Sequence, residues 1–228
     1  MISPWGLILT VLLYKIAEKF RSVPFLKNIP PMLISGIVVI ILLNLFHLDY
    51  SEYNQSAKFL TFMLIPATIA LGYPLYKNIN ILTKNKRIIY SAFFAASLCA
   101  VFSTFLIAKI CHTETNIIIS MLPKSVTAPI ALEISKNIGG VPEITICMVV
   151  LTGIFGAVTG HKILEFLKIK NDIAIGLAIG AASHVVGTSK CIEKGKEKQV
   201  VMSTLALVVV GIITTLILPV IIRILFKI

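Results

Sequence analysis

The chain has 228 residues, of which 57% are hydrophobic and 14% charged, and its mean hydropathy is +0.95. Soluble domains carry about 25% charged residues, so the composition excludes a soluble protein. It predicts an all-α polytopic membrane protein, with a single integral membrane domain over residues 1–228. The formal net charge of +11 comes from basic residues between apolar stretches. That distribution is typical of cytoplasmic loops, so we expect the lipid bilayer, and no nucleic acid, as the partner.

Six apolar stretches are long enough to cross a bilayer, because a spanning helix needs roughly 20 residues. In chain order they are 3–20, 30–47, 57–76, 88–110, 141–163 and 199–222. Two further stretches, 116–136 and 172–190, are apolar but rich in Gly, Ser, Thr and Pro. Each of these two is predicted to be a full span, a broken helix or a re-entrant hairpin. We expect residues 1–50 to form scaffold spans and residues 56–222 to form a transport core.

The charges of the loops predict the topology. The loops that are rich in Lys and Arg are 19–29, 77–87, 161–172 and 190–198, whereas 47–58 and 111–116 are poor in both. The positive-inside rule places the basic group in the cytoplasm and the N-terminus outside. Segment 116–136 would then enter and return from the outer face, and segment 172–190 from the inner face. This pattern predicts the inverted-repeat arrangement of secondary transporters.

The stretch "LPKSVTAPIALEISKNIGGVPE" (122–143) combines prolines with polar side chains. Prolines free backbone carbonyls, which are tolerated at membrane depth only inside protein or beside a wet cavity. A half-helix that begins near Pro129 would direct its positive N-terminal end at an anion. We predict that Ser125, Thr127 and Pro129 bind a substrate, with Lys124 supplying a cation and Glu133 a candidate proton carrier. The alternative is a proline kink that Ser and Thr side chains satisfy.

The stretch "GLAIGAASHVVGTSKCIEKG" (176–195) places a polar patch inside an apolar region. The predicted substrate-binding residues here are Ser183, His184, Gly187 and Thr188. His184 is also a candidate for the coupling proton, because an unperturbed imidazole titrates near neutral pH. A histidine that only bridges two helices is the alternative. The glycine pairs 176/180 and 156/160 also fit small-xxx-small helix packing.

The stretch "PATIALGYPLYKN" (66–78) interrupts a predicted span and shares Ile-Ala-Leu with "TAPIALEISKN" (127–137). Thr68 is therefore a further predicted substrate-binding residue. No hydrolase, metalloprotease or P-loop motif occurs, and the four histidines lack the spacing of metal ligands. We expect no enzymatic activity, no metal and no cofactor.

An ordered set of motifs carries a resemblance to a known family. The motifs are "LIPATIALGYPLY", "PKSVTAPIALEIS", "IGGVPEIT", "TGIFGAVTG" and "GLAIGAASHVVGTSKCIE". Together they resemble the LrgB/CidB family of bacterial membrane proteins, over nearly the whole chain. The family is also similar to the C-terminal half of the plastid glycolate/glycerate translocator of plants. Ala181 stands where the family often has Thr, which puts a role for a hydroxyl at that position in doubt.

The resemblance implies the bacterial cytoplasmic (inner) membrane and two alternative functions. The first is secondary transport of small monocarboxylates such as pyruvate, glycolate or glycerate, by alternating access and coupled to protons. The second is holin-like or antiholin-like regulation of murein hydrolase activity and cell lysis, with a small LrgA/CidA-type membrane partner. We rank transport first, because a hole-forming protein does not need Ser, Thr, His and Pro clusters in two segments. We expect a homodimer, in which a transport core moves against a scaffold.

Overall fold

The computed structural model describes residues 4–20, 29–70, 72–80 and 86–226, except the side chains at positions 68, 74 and 75. Every regular element within these ranges is a helix, and no strand occurs in them. The chain forms two compact units, residues 1–69 and residues 70–228. The all-helical prediction is confirmed for the part of the chain that the structure describes.

The first unit contains short helices, of which all but α3 are apolar. They are α1 (Trp5–Lys19), α2 (Pro31–Leu45), α3 (Tyr50–Ser56) and most of α4 (Lys58–Ala70). Helix α1 packs against α2 and α3. The backbone N–H of Gly6 donates to Ser56 Oγ over 3.0 Å, and the hydroxyls of Thr10 and Tyr53 lie 2.7 Å apart. A Cβ at position 6 would overlap the Ser56 hydroxyl, so glycine permits this close approach.

The second unit contains the longer helices. They are α5 (Gly72–Lys77), α6 (Lys86–Ile110), α7 (Thr115–Met121), α8 (Ala128–Asn137), α9 (Pro142–Phe166), α10 (Asp172–Glu193) and α11 (Glu197–Phe226). Among the described residues, four helices are long and apolar enough to cross a membrane: α6, α9, α10 and α11. The predicted stretches 88–110, 141–163 and 199–222 correspond to α6, α9 and α11. The predicted stretch 57–76 covers α4 and most of α5, and residue 71 between them lies outside the described residues.

Helix α11 is the centre of the second unit, with α6, α8 and α10 packed around it. Its side chains Leu205, Ala206 and Leu218 are fully buried. The hydroxyls of Ser97 on α6 and Thr214 on α11 lie 2.7 Å apart and are buried. Such a pair satisfies both hydroxyls away from water, and it holds α6 in register with α11.

Helix ends account for three of the four positive-φ residues that are not glycine in the described chain. His47, His112 and Lys168 have φ of 50°, 53° and 58° and stand just after α2, α6 and α9. The residue after a helix commonly adopts this left-handed conformation, which satisfies the last free carbonyls. The fourth such residue, His184, has φ of 41° but lies inside α10. It marks the candidate site.

Candidate functional site

Helix α10 is folded back on itself at His184. The torsions of this residue, φ 41° and ψ −133°, are not helical, and they divide α10 into a first limb (172–183) and a second limb (185–193). A Cβ built on Gly187 would lie 2.9 Å from Ile179 Cγ2 and 3.1 Å from the Ile179 carbonyl oxygen. In a straight helix these residues are about 12 Å apart along the axis. The two limbs therefore lie side by side, and we call this element the 172–193 hairpin.

Polar contacts hold both ends of the 172–193 hairpin at the same end of the unit. Gln199 Nε2 donates to Asp172 Oδ1 over 2.7 Å at the start of the first limb. Lys194 Nζ, just after the second limb, lies 3.5 Å from Glu165 Oε1 at the end of α9. Since Gln199 is in the first turn of α11 and Glu165 in the last turn of α9, the hairpin opens where α9 ends and α11 begins.

Helices α7 and α8 form a second helical hairpin, which we call the 115–137 hairpin. The turn 122–127 joins the two helices. The Thr145 hydroxyl lies 2.8 Å from the Ser120 carbonyl oxygen and 2.7 Å from Ser135 Oγ. The backbone N–H of Val141 donates to Ser120 Oγ over 2.7 Å. These contacts fix the hairpin to the N-terminal end of α9.

A central cavity of about 600 Å³ lies between α6, α9, the turn of the 115–137 hairpin and the first limb of the 172–193 hairpin. Its polar lining residues are Ser103, Lys124, Ser125, Thr152, Thr159 and Ser183. The lining residues of α6, 96–103, occupy the middle of that helix, and those of α9 begin at its middle, at position 152. Those of α9 continue to Leu164, so the cavity extends from mid-depth of both helices towards the end of α9; transporters bind their solutes near mid-depth.

Lys124 is the only charged residue in the described wall of the central cavity. Its side chain is half-buried, and no described residue forms an ion pair or a side-chain hydrogen bond with the ammonium group. A charge taken out of water without a partner is costly, and an anion in the cavity would relieve that cost. Sequence reasoning named Lys124 as a cation but left it out of the predicted binding residues.

Ser125 and Ser183 are the predicted residues that the structure brings together in the cavity wall. Ser125 is in the turn of one hairpin, and Ser183 is the last residue of the first limb of the other. Both are buried. The segments that the sequence indicated separately therefore meet at one cavity.

His184 bridges two elements. Its Nε2 lies 3.0 Å from the Val149 carbonyl oxygen on α9; a carbonyl only accepts, so Nε2 carries the proton and donates. Thr188 Oγ1 donates to the His184 carbonyl oxygen over 2.9 Å. A Cβ at Gly153 would lie 2.6 Å from His184 Cε1, so the ring packs directly on α9. This geometry matches the bridging alternative, and a proton-carrying role for His184 stays a prediction.

The remaining predicted residues lie outside the described cavity wall. Thr127 is buried, and its Oγ1 has no hydrogen-bond partner among the described residues. Gly187 is buried in the second limb and Pro129 is half-buried in the first turn of α8. Glu133 is 70% exposed at the side chain and pairs with Lys136 over 3.1 Å. The Thr68 side chain lies outside the residues that the structure describes.

The small-xxx-small glycines pack inside the chain, which confirms that prediction. A Cβ at Gly156 on α9 would overlap Ser183, and one at Gly160 would lie 2.6 Å from Ile179 Cδ1. On the other face of the first limb, a Cβ at Gly180 would overlap the Ser203 backbone of α11. Glycines thus allow the 172–193 hairpin to fit closely between α9 and α11.

Sequence reasoning missed a polar chain at the open end of the 172–193 hairpin. His161 Nε2 lies 3.2 Å from Gln199 Oε1, and Gln199 Nε2 donates to the Asp172 carboxylate. Because the carboxylate only accepts, the amide oxygen faces His161, whose Nε2 must donate. His161 Nδ1 is buried without a partner among the described residues. The only signal in the sequence was a histidine near the end of a span.

The fold and the cavity define a polytopic α-helical membrane protein with two folded-back segments. The model of the LrgB-like family matches residues 10–224, and the chain belongs to that family, as its motifs indicated. It is 34% identical over 216 residues to the antiholin-like protein LrgB of Bacillus cereus (strain B4264), covering 94% of each chain. The same identity and coverage hold for the antiholin-like protein LrgB of Bacillus anthracis (strain CDC 684 / NRRL 3495). No solved structure matches the chain.

Proposed function

We propose that this chain has the antiholin-like role that the name of its relatives gives them. The family match over residues 10–224 and the 34% identity over 94% of the chain support this proposal. In that role it would restrain murein hydrolase activity and cell lysis from the bacterial inner membrane, together with a small LrgA/CidA-type protein. The glycine pairs on α9 and α10 pack within the chain, so contacts with a partner would use other surfaces.

We further propose that its molecular activity is secondary transport of a small monocarboxylate such as pyruvate, glycolate or glycerate. The central cavity with an unpaired Lys124 in its wall is the observation that carries this proposal. One ammonium group with no carboxylate beside it in the described cavity wall suits a solute of charge −1. A cavity of about 600 Å³ is large enough for a solute of this size together with water.

Carboxylate binding would use groups from both hairpins. The Lys124 ammonium would bond one carboxylate oxygen, and the hydroxyls of Ser125 and Ser183 would donate to the solute from opposite sides. Hydrogen bonds to charged groups contribute about 1.5–3 kcal/mol each. Thr152 and Thr159 on α9 offer hydroxyls for a hydroxy or oxo substituent. Apart from Ser103 the rest of the wall is apolar, and a low local dielectric strengthens such interactions.

Alternating access would follow from the arrangement of the two hairpins. The loop charges place the 115–137 hairpin on the outer side and the 172–193 hairpin on the inner side. Each would then reach the cavity from its own face, as broken segments do in inverted-repeat transporters. Movement of either hairpin against α9 would open the cavity to one side. Transport of a carboxylate with a proton changes the cytoplasmic pH, which would connect the transport activity with lysis.

The transport proposal is tested by uptake of labelled pyruvate and glycolate into proteoliposomes, with and without an inward proton gradient. We expect saturable uptake by the unaltered chain. Lys124→Met should raise KM by about tenfold or more, because it removes about 1.4 kcal/mol or more of charge-assisted binding. Lys136→Met is the matched control, since that lysine is exposed and pairs only with Glu133. The absence of saturable uptake for any small monocarboxylate would refute transport.

The antiholin-like role is tested separately in a bacterial strain that lacks its own LrgB-type protein. We expect expression of this chain to lower extracellular murein hydrolase activity and to delay autolysis. No effect on either measurement, at confirmed expression in the membrane, would refute this role. Lys124→Met links the two proposals: it should abolish the delay of autolysis if solute transport underlies the regulation, and it should leave the delay intact if the roles are separate.

A further inference from the structure

A second cavity of about 850 Å³ lies beside the central one, where α6, α10 and α11 begin. Its wall includes Asn171, Glu197 and Lys198, and it reaches Ala92 on α6. These polar and charged residues belong to the basic end of the unit, which the loop charges place in the cytoplasm. The second cavity therefore lies between the basic end and the central cavity, and we call it the vestibule.

Leu177 is the only described residue that lines both cavities. On the first limb of the 172–193 hairpin, Ala174 lines the second cavity and Ala178 and Ala181 line the central one. Their spacing of three and four residues puts all of them with Leu177 on one helix face. Ile173, four residues before Leu177, lines only the second cavity, so Leu177 is the bulky side chain at the level where the two cavities meet.

Helix α6 provides the opposite wall. Ala92 lines the second cavity, and Ala96, four residues further on, lines the central cavity. Leu177 packs in the same apolar cluster as Ala96 and the fully buried Phe93. The two cavities therefore lie along the same two elements, α6 and the first limb, and Leu177 is the lining residue that they share.

We propose that Leu177 is the inner gate of this protein, the side chain that separates the central cavity from the vestibule at the basic end. The inference rests on the proposed transport function, and it assigns the route and the barrier for the same solute. A shift of the first limb by the width of one side chain would join the cavities.

Cys99 is a natural probe for this gate, because it lines the central cavity and is an exposed residue. A chain that retains Cys99 while Cys111, Cys147 and Cys191 are replaced by alanine would report access to the central cavity alone. Sealed membrane vesicles of both orientations would be treated with the membrane-impermeant anion methanethiosulfonate ethylsulfonate. The measured quantity is the rate of Cys99 modification from each face, which does not require that any solute is transported.

Leu177→Ala should raise the rate of Cys99 modification from the basic face by about tenfold or more, equivalent to lowering the barrier by about 1.4 kcal/mol. The rate from the opposite face should not change. Leu164→Ala is the matched control, because Leu164 lines the central cavity but not the vestibule. An unchanged rate in Leu177→Ala, or an equal rise in Leu164→Ala, would overturn the proposal.

A second variant covers the case in which Leu177→Ala does not fold. In a chain without other cysteines, Leu177→Cys should be modified rapidly from the basic face and slowly from the other. Modification from the opposite face only, or from neither face, would overturn the assignment. If the unaltered chain shows no uptake in proteoliposomes but the labelling rates are as expected, transport is refuted and the assignment of Leu177 as a barrier stands.

Discussion

Gly180→Ala tests whether the first limb of the 172–193 hairpin fits against α11 as closely as the structure indicates. A Cβ at position 180 would lie 2.7 Å from both Cα and the carbonyl carbon of Ser203, and it would overlap the Ser203 carbonyl oxygen. Ordinary contact between carbon atoms is about 3.5–4.0 Å. The obstructing atoms are all main chain, so no rotamer change relieves the overlap, and the limb or α11 must move.

The magnitude follows from two opposing terms. Overpacking of a close contact costs about 1–3 kcal/mol, and a backbone obstruction that cannot rotate away belongs at the upper end, about 3 kcal/mol. Replacing glycine by alanine inside a helix returns about 0.5–1 kcal/mol. We therefore expect Gly180→Ala to lower the free energy of unfolding by about 2 kcal/mol.

The assay is unfolding of the purified protein in dodecyl maltoside by increasing mole fractions of SDS, followed by far-ultraviolet circular dichroism. Gly211→Ala is the control within the same unit, because its new Cβ would meet only the flexible end of Ile130, at 3.1 Å. We expect that control to be close to neutral. Equal midpoints of SDS unfolding for Gly180→Ala and Gly211→Ala would refute the close fit of the hairpin against α11.

Substitutions at three further positions test individual contacts in the same unfolding assay. His184→Gly and His184→Ala both remove the hydrogen bond between the ring and Val149. Because glycine accepts positive φ, His184→Gly should be more stable than His184→Ala by about 1 kcal/mol. Equal stabilities would contradict the backbone strain at the fold-back. Gln199→Leu should cost about 1–3 kcal/mol, because it leaves the buried His161 ring unpaired; an unchanged midpoint would show that the polar chain is not formed. Thr127→Val should keep or raise stability by up to about 1 kcal/mol, since it removes a buried hydroxyl without a partner, and a loss of stability would show that the hydroxyl is bonded.

The long helices of the second unit followed directly from the sequence. For example, the predicted stretch 141–163 corresponds to α9, Pro142–Phe166. Two glycines followed by a proline mark the start of this helix, and the apolar residues after them are continuous. The stretch 57–76 was less tractable. Pro66, at the start of the segment expected to interrupt this stretch, lies inside α4, and a proline in an apolar run does not by itself decide between a kink and the end of a helix.

The candidate site was predictable in part. The polar segments around Ser125 and Ser183 were identified because such residues are unusual in apolar helices. Lys124 could not be ranked, because its importance depends on having no carboxylate nearby, which is a property of the packed structure. His184 was placed in the site by its chemistry, yet its ring is bonded to α9. The sequence predicted a break or hairpin within 172–190 but not its position: histidine is enriched at positive φ, yet His47 and His112 adopt it after helix ends, so residue type alone does not single out position 184.

The close fit of the 172–193 hairpin between α9 and α11 has a consequence for biosynthesis. These elements are consecutive in the chain, so their mutual contacts have low contact order, and such contacts form fast. The bond between Ser97 and Thr214 is different, because it joins residues 117 positions apart. It can form only when α11, the 30-residue helix at the end of the unit, has left the ribosome. Insertion of α11 therefore completes both the surface against which the hairpin packs and the docking of α6. Chains that terminate before α11 are exposed to proteolysis.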